Sequence, residues 1–189
     1  MSTFEYDISS MQYGMKQGKC QLPSTGLMRQ YTTSQVNEEF LYAGTMGGEI
    51  CLFHLYTRLY KGSIPISSHG LMCFTIVDGI LFTGGGDGKL KKVNIQSGSW
   101  ALEKEVQLDG KVISISSSID KKELICGTSN GKIYRVLTND LTYLIHTDAH
   151  MNSINDVAFP LNSSDYFATI DDAVCALWRF NRDISSFGM

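Results

Sequence analysis

Long apolar runs are missing from this chain of 189 residues; none approaches the roughly 18 residues needed to cross a bilayer. The start, MSTFEYDISS, lacks the basic-then-apolar pattern of a secretory leader. Proline is scarce, at three residues, and no low-complexity tract occurs, so the composition is not that of a disordered linker. The five cysteines, Cys20, Cys51, Cys73, Cys126 and Cys175, include no pair at metal-ligand spacing. Their odd number points to reduced thiols, and the last four sit in apolar runs where cysteine packs as a small hydrophobe. A basic excess is also missing: 16 Lys and Arg face 19 Asp and Glu, a net charge of -3, which argues against nucleic acid and membrane surfaces as partners. The expectation is a soluble, intracellular globular protein.

Glycine is plentiful, at 18 residues, and it recurs in a pattern. Four stretches align: FLYAGTMGGEICLFHL from Phe40, ILFTGGGDGKLKKVNI from Ile80, ELICGTSNGKIYRVLT from Glu123 and DYFATIDDAVCALWRF from Asp165. Each is a short apolar run, a polar turn and an alternating run. The last small residue of each turn, Gly48, Gly88, Gly131 and Ala173, marks spacings of 40, 43 and 42. That period matches four-stranded propeller blades of about 40–45 residues. Gly47-Gly48, Asp87-Gly88 and Asn130-Gly131 supply the positive φ angles that tight hairpins demand.

The stretch LFTGGGDGKL invites comparison with a phosphate-binding loop, but such a loop leads from strand to helix and needs a hydroxyl after its lysine. Here Leu90 follows Lys89, and the flanks are both strand-like. A hairpin turn is the better reading. Inner strands are expected near 71–76, 110–117 and 150–159, and outer strands in LYKGS, WALEKEVQL and LTYLIHT. No segment carries a helical period capped at both ends.

The fold class expected is therefore all-β, a propeller of about four blades. Its units are a partial preceding blade and an inner strand in 1–35, the rest of blade one in 36–62, blade two in 63–109, blade three in 110–148, and blade four with a tail in 149–189. TFEYDIS and MKQGKCQL read as strands of that preceding blade, so the chain is expected to form part of a larger propeller.

His69-Gly70 before an inner strand, the Gly86-Asp87-Gly88 turn and Trp178 in VCALWRF resemble WD40 repeats. Arg179 replaces the aspartate of that motif, and Phe53, Val93 and Val136 take the tryptophan position elsewhere, so the structural tetrad of such repeats is expected to be incomplete. FLYAGTMGGEI, CGTSNGKIYRV, HTDAHMNSINDVAFP and YFATIDDAVCALWRF resemble, in order and spacing, the first propeller of the cilia- and flagella-associated protein 52 family. This likeness covers most of 36–180. It implies a non-enzymatic structural role inside the doublet microtubules of motile cilia, with tubulin and other axonemal proteins as partners and no cofactor. The alternative is a general cytoplasmic WD40 adaptor that binds peptide segments.

Several residues suggest chemistry and have plainer readings. His146 and His150 flank Asp148, but they lie between blades rather than on a helix, so a metal site is not expected. His150 stands about where WD40 repeats carry a structural histidine. Asp171 and Asp172 form a carboxylate pair in the fourth turn, with Asp172 at the place of Asp87; turn stabilisation explains them better than acid–base catalysis. Ser114, Ser116, Ser117 and Ser118 read as a solvated strand face. Lys89, Lys91 and Lys92, with Lys121 and Lys122 one blade later, form the compact basic cluster; they suit either an acidic tubulin surface or a strand edge kept soluble by lysine. Phe53, Tyr134, Phe159, Phe167 and Trp178 are expected to pack between blades.

Overall fold

The computed structural model describes residues 29–96, 100–146 and 149–180, and every regular element within them is a β-strand. The first sheet runs β1 (Tyr31–Asn37), β2 (Phe40–Thr45), β3 (Glu49–His54) and β4 (Tyr60–Pro65), in that order. The second comprises β5 (Leu71–Val77), β6 (Ile80–Gly85), β7 (Lys89–Asn94) and β8 (Ala101–Gln107). The third comprises β9 (Val112–Ser117), β10 (Glu123–Thr128), β11 (Ile133–Leu137) and β12 (Tyr143–His146). A three-stranded sheet follows: β13 (Asp156–Ala158), β14 (Tyr166–Ile170) and β15 (Cys175–Arg179). All pairings are antiparallel between sequence neighbours, so each sheet is a meander. TFEYDIS and MKQGKCQL lie outside the described residues.

In the second and third sheets the second strand is buried because neighbouring blades cover both of its faces; all six residues of β10 are buried, and five of the six of β6. Outer strands are wet on one side or both, and β8 exposes six of its seven residues. Inner strands pack in succession, β1 on β5, β5 on β9 and β9 on β13. Between sheets lie three apolar seams. Tyr42, Ile50, Leu71, Phe74, Leu81 and Val93 fill the first. Phe82, Leu90, Val112, Leu124, Tyr134 and Val136 lie in the second, and Ile125, Ile133, Ile154, Val157 and Phe167 in the third. Each such side chain contributes about 1.5–3 kcal/mol on leaving water, so the seams carry most of the cohesion.

One device recurs at these seams. Gly44, Gly84 and Gly127 near the ends of the second strands leave sockets for the next blade. A Cβ there would lie 2.7 Å from Leu71 Cδ2, 2.5 Å from Val112 Cγ1 and 2.5 Å from Ile154 Cγ2, respectively. In the fourth sheet the same register position holds Ile170, which is exposed.

Polar bonds cross the seams as well. Thr32 Oγ1 donates to Leu71 O at 2.5 Å, and Ile76 N–H donates to Gln35 Oε1 at 3.1 Å. Ser114 Oγ donates to Asp156 Oδ1 at 2.7 Å and accepts from Val157 N–H at 3.1 Å; Ser116 Oγ accepts from Phe159 N–H at 3.1 Å. The serine run is thus not a solvated face. Ser114 is buried because it meets the next inner strand rather than water, and Ser118, just past β9, is buried in its own turn, where Oγ donates to Asp120 Oδ1 at 2.6 Å and accepts from Glu123 N–H at 3.0 Å.

Two further expectations need correction. The inner strand expected over 150–159 is only β13. Its lead-in spends its donors on the preceding blade instead: His150 N–H on Gly131 O at 3.2 Å and Ile154 N–H on Thr128 O at 3.1 Å. Cys175 is exposed, unlike buried Cys51, Cys73 and Cys126, because its side of β15 has no neighbouring blade among the described residues.

Candidate functional site

The best-developed polar constellation lies in the fourth blade. Strand pairing sets Thr169 opposite Ala176 and Phe167 opposite Trp178, which brings the Trp178 ring beside the Thr169 hydroxyl. Trp178 Nε1–H donates to Thr169 Oγ1 at 2.7 Å. His150, arriving from the third blade, places Nε2 2.6 Å from the same oxygen. Its Nδ1 lies 3.1 Å from Asp171 Oδ2, close but not aligned as a hydrogen bond. A proton on Nδ1, on the carboxylate side, leaves Nε2 to accept from the Thr169 O–H, while Thr169 Oγ1 accepts from the indole N–H. Backbone N–H groups of Ala173 and then Val174, followed by His150, hold the Asp171 carboxyl below the usual range.

Threonine, histidine and aspartate in this order resemble a nucleophile with its base. The hydroxyl, however, is 1% exposed, and its oxygen is already occupied by the indole N–H. No acyl or phosphoryl group can approach it, so the network clamps the blade instead. The tetrad is thus formed in this blade, although Arg179 follows the tryptophan. Its carboxylate is Asp171 and not Asp172, which accepts from Asn155 Nδ2 at 2.7 Å. The reason is one of length. Gly84 paired with Leu90 encloses residues 85–89, whereas Ile170 paired with Cys175 encloses 171–174. With one residue fewer in the turn, counting back from Ala173 lands on the wrong aspartate.

Blade two is built differently. His69 is exposed and its Nδ1 lies 2.8 Å from Ser68 Oγ, so the ring takes no part in a tetrad. Buried Ser67 substitutes for it, donating to Asp87 Oδ2 at 3.4 Å, while Asp87 Oδ1 accepts from Lys89 N–H at 3.0 Å. Phe53, Val93 and Val136 are buried where Trp178 stands, and contribute packing only.

The turn glycines have a second task. Gly48 has φ +85°, and its carbonyl accepts from Ile66 N–H at 2.8 Å and Ser67 N–H at 2.9 Å, fixing the crossover into the next blade. Gly88 repeats this toward Leu108 N–H and Gly131 toward His150 N–H. A side chain at Gly48 or Gly131 would run into the carbonyl of Ser67 or His150.

The lysine cluster is not an open basic patch. Residues 89–94 form an interior strand, and two of its lysines are matched across the sheet while the third is held by a backbone carbonyl outside it. Lys89 Nζ lies 2.5 Å from Glu105 Oε1, Lys92 Nζ 3.3 Å from Glu103 Oε2, and Lys91 Nζ donates to Ile66 O at 2.5 Å. The edge of this sheet is β8, which carries the neutralising glutamates. His146 ends β12, and residues 147–148 lie outside the description, so only His150 of that pair can be followed. Among the described residues no group of three metal-ligating side chains converges.

No family model matches the chain. Cilia- and flagella-associated protein 52 of Bos taurus is 29% identical over 164 residues, which are 82% of this chain and 26% of that protein. The protein of the same name from Chlamydomonas reinhardtii is 28% identical over 153 residues, 76% of this chain and 24% of the relative. The chain thus spans about a quarter of the length of the curated relatives it matches. Among solved structures, the beta-propeller domain of Myceliophteria thermophila Cps50 (Swd1) superposes with a TM-score of 0.69 at 13% identity, over 85% of this chain and 58% of that one. The computationally designed Ika4 protein gives 0.68 at 17% identity, over 86% and 98%. At these identities the structural likeness bears on fold alone. The fold is that of a WD40-type β-propeller, and the likeness to the cilia- and flagella-associated protein 52 family is found in relatives from organisms as different as Bos taurus and Chlamydomonas reinhardtii.

Proposed function

We propose that this protein is a non-enzymatic scaffold of the ciliary or flagellar axoneme, a microtubule inner protein that stabilises doublet microtubules through contacts with tubulin and neighbouring proteins. The observation that carries this is the similarity, over 76–82% of the chain, to proteins named for association with cilia and flagella. The polar geometry supports a role without catalysis, since the triad-like residues are sealed inside a blade. Rigidity comes from the three seams, and many weak contacts made by turns on a rigid body add up through effective concentration.

Fractionation of motile cilia tests the proposal. Retention with doublet microtubules through detergent and then high salt is expected, because a protein enclosed in the tubule wall is little affected by ionic screening. Release into the detergent-soluble fraction, or equal abundance in cells without cilia, would overturn it in favour of a cytoplasmic adaptor.

A further inference from the structure

The turns joining first and second strands lie at the opposite blade ends from the glycine turns, and they enclose one depression of about 700 Å³ to which all four blades contribute. Asn37 and Glu38 come from blade one, Asp78 and Gly79 from blade two, Ile119 and Lys121 from blade three, and Phe159 and Leu161 from blade four. Three of these residues, Glu38, Asp78 and Lys121, hold φ angles of +53°, +48° and +61°, which side chains other than glycine adopt at a cost. All three are charged. Lys121 Nζ lies 2.5 Å from Asp78 Oδ1, which satisfies that pair. The Glu38 carboxylate has no ion-pair partner among the described residues, and the second Asp78 oxygen is also open. Beside them stand two aliphatic side chains in water: Leu161, 94% exposed, and Ile119, 52% exposed.

We propose that this depression is a docking site for an extended segment of another protein in which a lysine or arginine adjoins an aliphatic residue. Glu38 takes the cation, Ile119 and Leu161 cover the aliphatic side chain, and the Asp78–Lys121 pair borders the site as fixed polar walls. Charge complementarity selects this occupant: after the Asp78–Lys121 pair cancels, the depression keeps one negative charge beside apolar surface. An acidic segment would meet Glu38 with like charge, and a purely apolar one would desolvate the Glu38 carboxylate without compensating it. The site stands on this face's geometry and does not depend on where in the cell the protein resides.

Selection of random short peptides against the full chain tests it. Enriched sequences should pair Lys or Arg with Leu, Ile, Val or Met. Synthetic versions, labelled with fluorescein and titrated by anisotropy, should lose at least about tenfold in affinity to Glu38→Lys and to Leu161→Asp, as expected when a central contact is removed. Met151→Asp, altering a fully exposed side chain outside the depression, should leave binding unchanged. All three substitutions are at surface positions, and matching circular dichroism melts will show that each variant folds. Failure to enrich basic–aliphatic sequences overturns the proposal, and so does undiminished binding by both depression variants. Neither outcome bears on the axonemal fractionation.

Discussion

Gly48→Ala should destabilise the protein by about 3 kcal/mol, and Gly79→Ala by about 1 kcal/mol, although both glycines are left-handed. Their φ angles are +85° and +73°, so the dihedral penalty is nearly shared. For an L-residue that penalty is about 1–2 kcal/mol, offset by about 0.4–1 kcal/mol from the alanine's reduced freedom in the unfolded chain. The difference lies in what the new methyl meets. At Gly79 it meets the exposed Gln96 side chain, which can swing aside at the loss of one hydrogen bond to Asp78 O. At Gly48 it meets the Ser67 carbonyl, which is backbone. Moving that carbonyl strains or breaks the bonds from Ile66 and Ser67 to Gly48 O, at about 0.5–1.5 kcal/mol each. Urea titration of parent and variants, followed in parallel by tryptophan fluorescence and far-ultraviolet circular dichroism, reads the difference; coincident transitions are needed before midpoints are compared. If Gly79→Ala proves as damaging as Gly48→Ala, the crossover contact has no special weight, and the reasoning about the turn carbonyls fails.

Ser114→Ala should cost about 0.5–1.5 kcal/mol, because it removes the bond to exposed Asp156 and one of the two acceptors of the buried Val157 N–H, and hydrogen exchange at the Val157 amide should speed up first. Asp171→Asn changes the response to acid. The folded carboxyl titrates below its usual value near 3.8, so its stabilisation is complete above that value and fades as pH falls through the lower, folded one. The variant should therefore be less stable at neutral pH and lose less than the parent on acidification, measured by urea midpoints at successive pH values. A maleimide should label Cys175 in the native protein at once, but Cys73 and Cys126 only after unfolding, since burial removes access and raises both thiols. Peptide mapping of the labelled sites decides it.

What was legible in the sequence is what local chemistry dictates. Asp87-Gly88 and Asn130-Gly131 announce their hairpins because few other residues turn so tightly, and the apolar second strands announce burial on both faces. Side-chain partners across the seams were less legible. The β9 serines alternate like a wet face, and only the neighbouring inner strand reveals what they bind. His69 has the right residue type in the right place, yet Ser67 two positions earlier makes the buried contact. Asp171 was displaced by a one-residue contraction of its turn, which a count along the chain cannot register. The lysines of β7 look like a patch until the glutamates of β8, more than ten residues later, are laid beside them.

The hydrogen bonds between successive inner strands and their flanks join residues 39 to 43 positions apart. That separation governs how the chain is made. The main contacts among the described sheets run between sequence neighbours, so a nascent chain leaving the ribosome at about 5–20 residues per second completes each of these junctions roughly 2–8 s after the last. Growth and folding then advance together, one blade behind the exit, with little apolar surface waiting in water between steps.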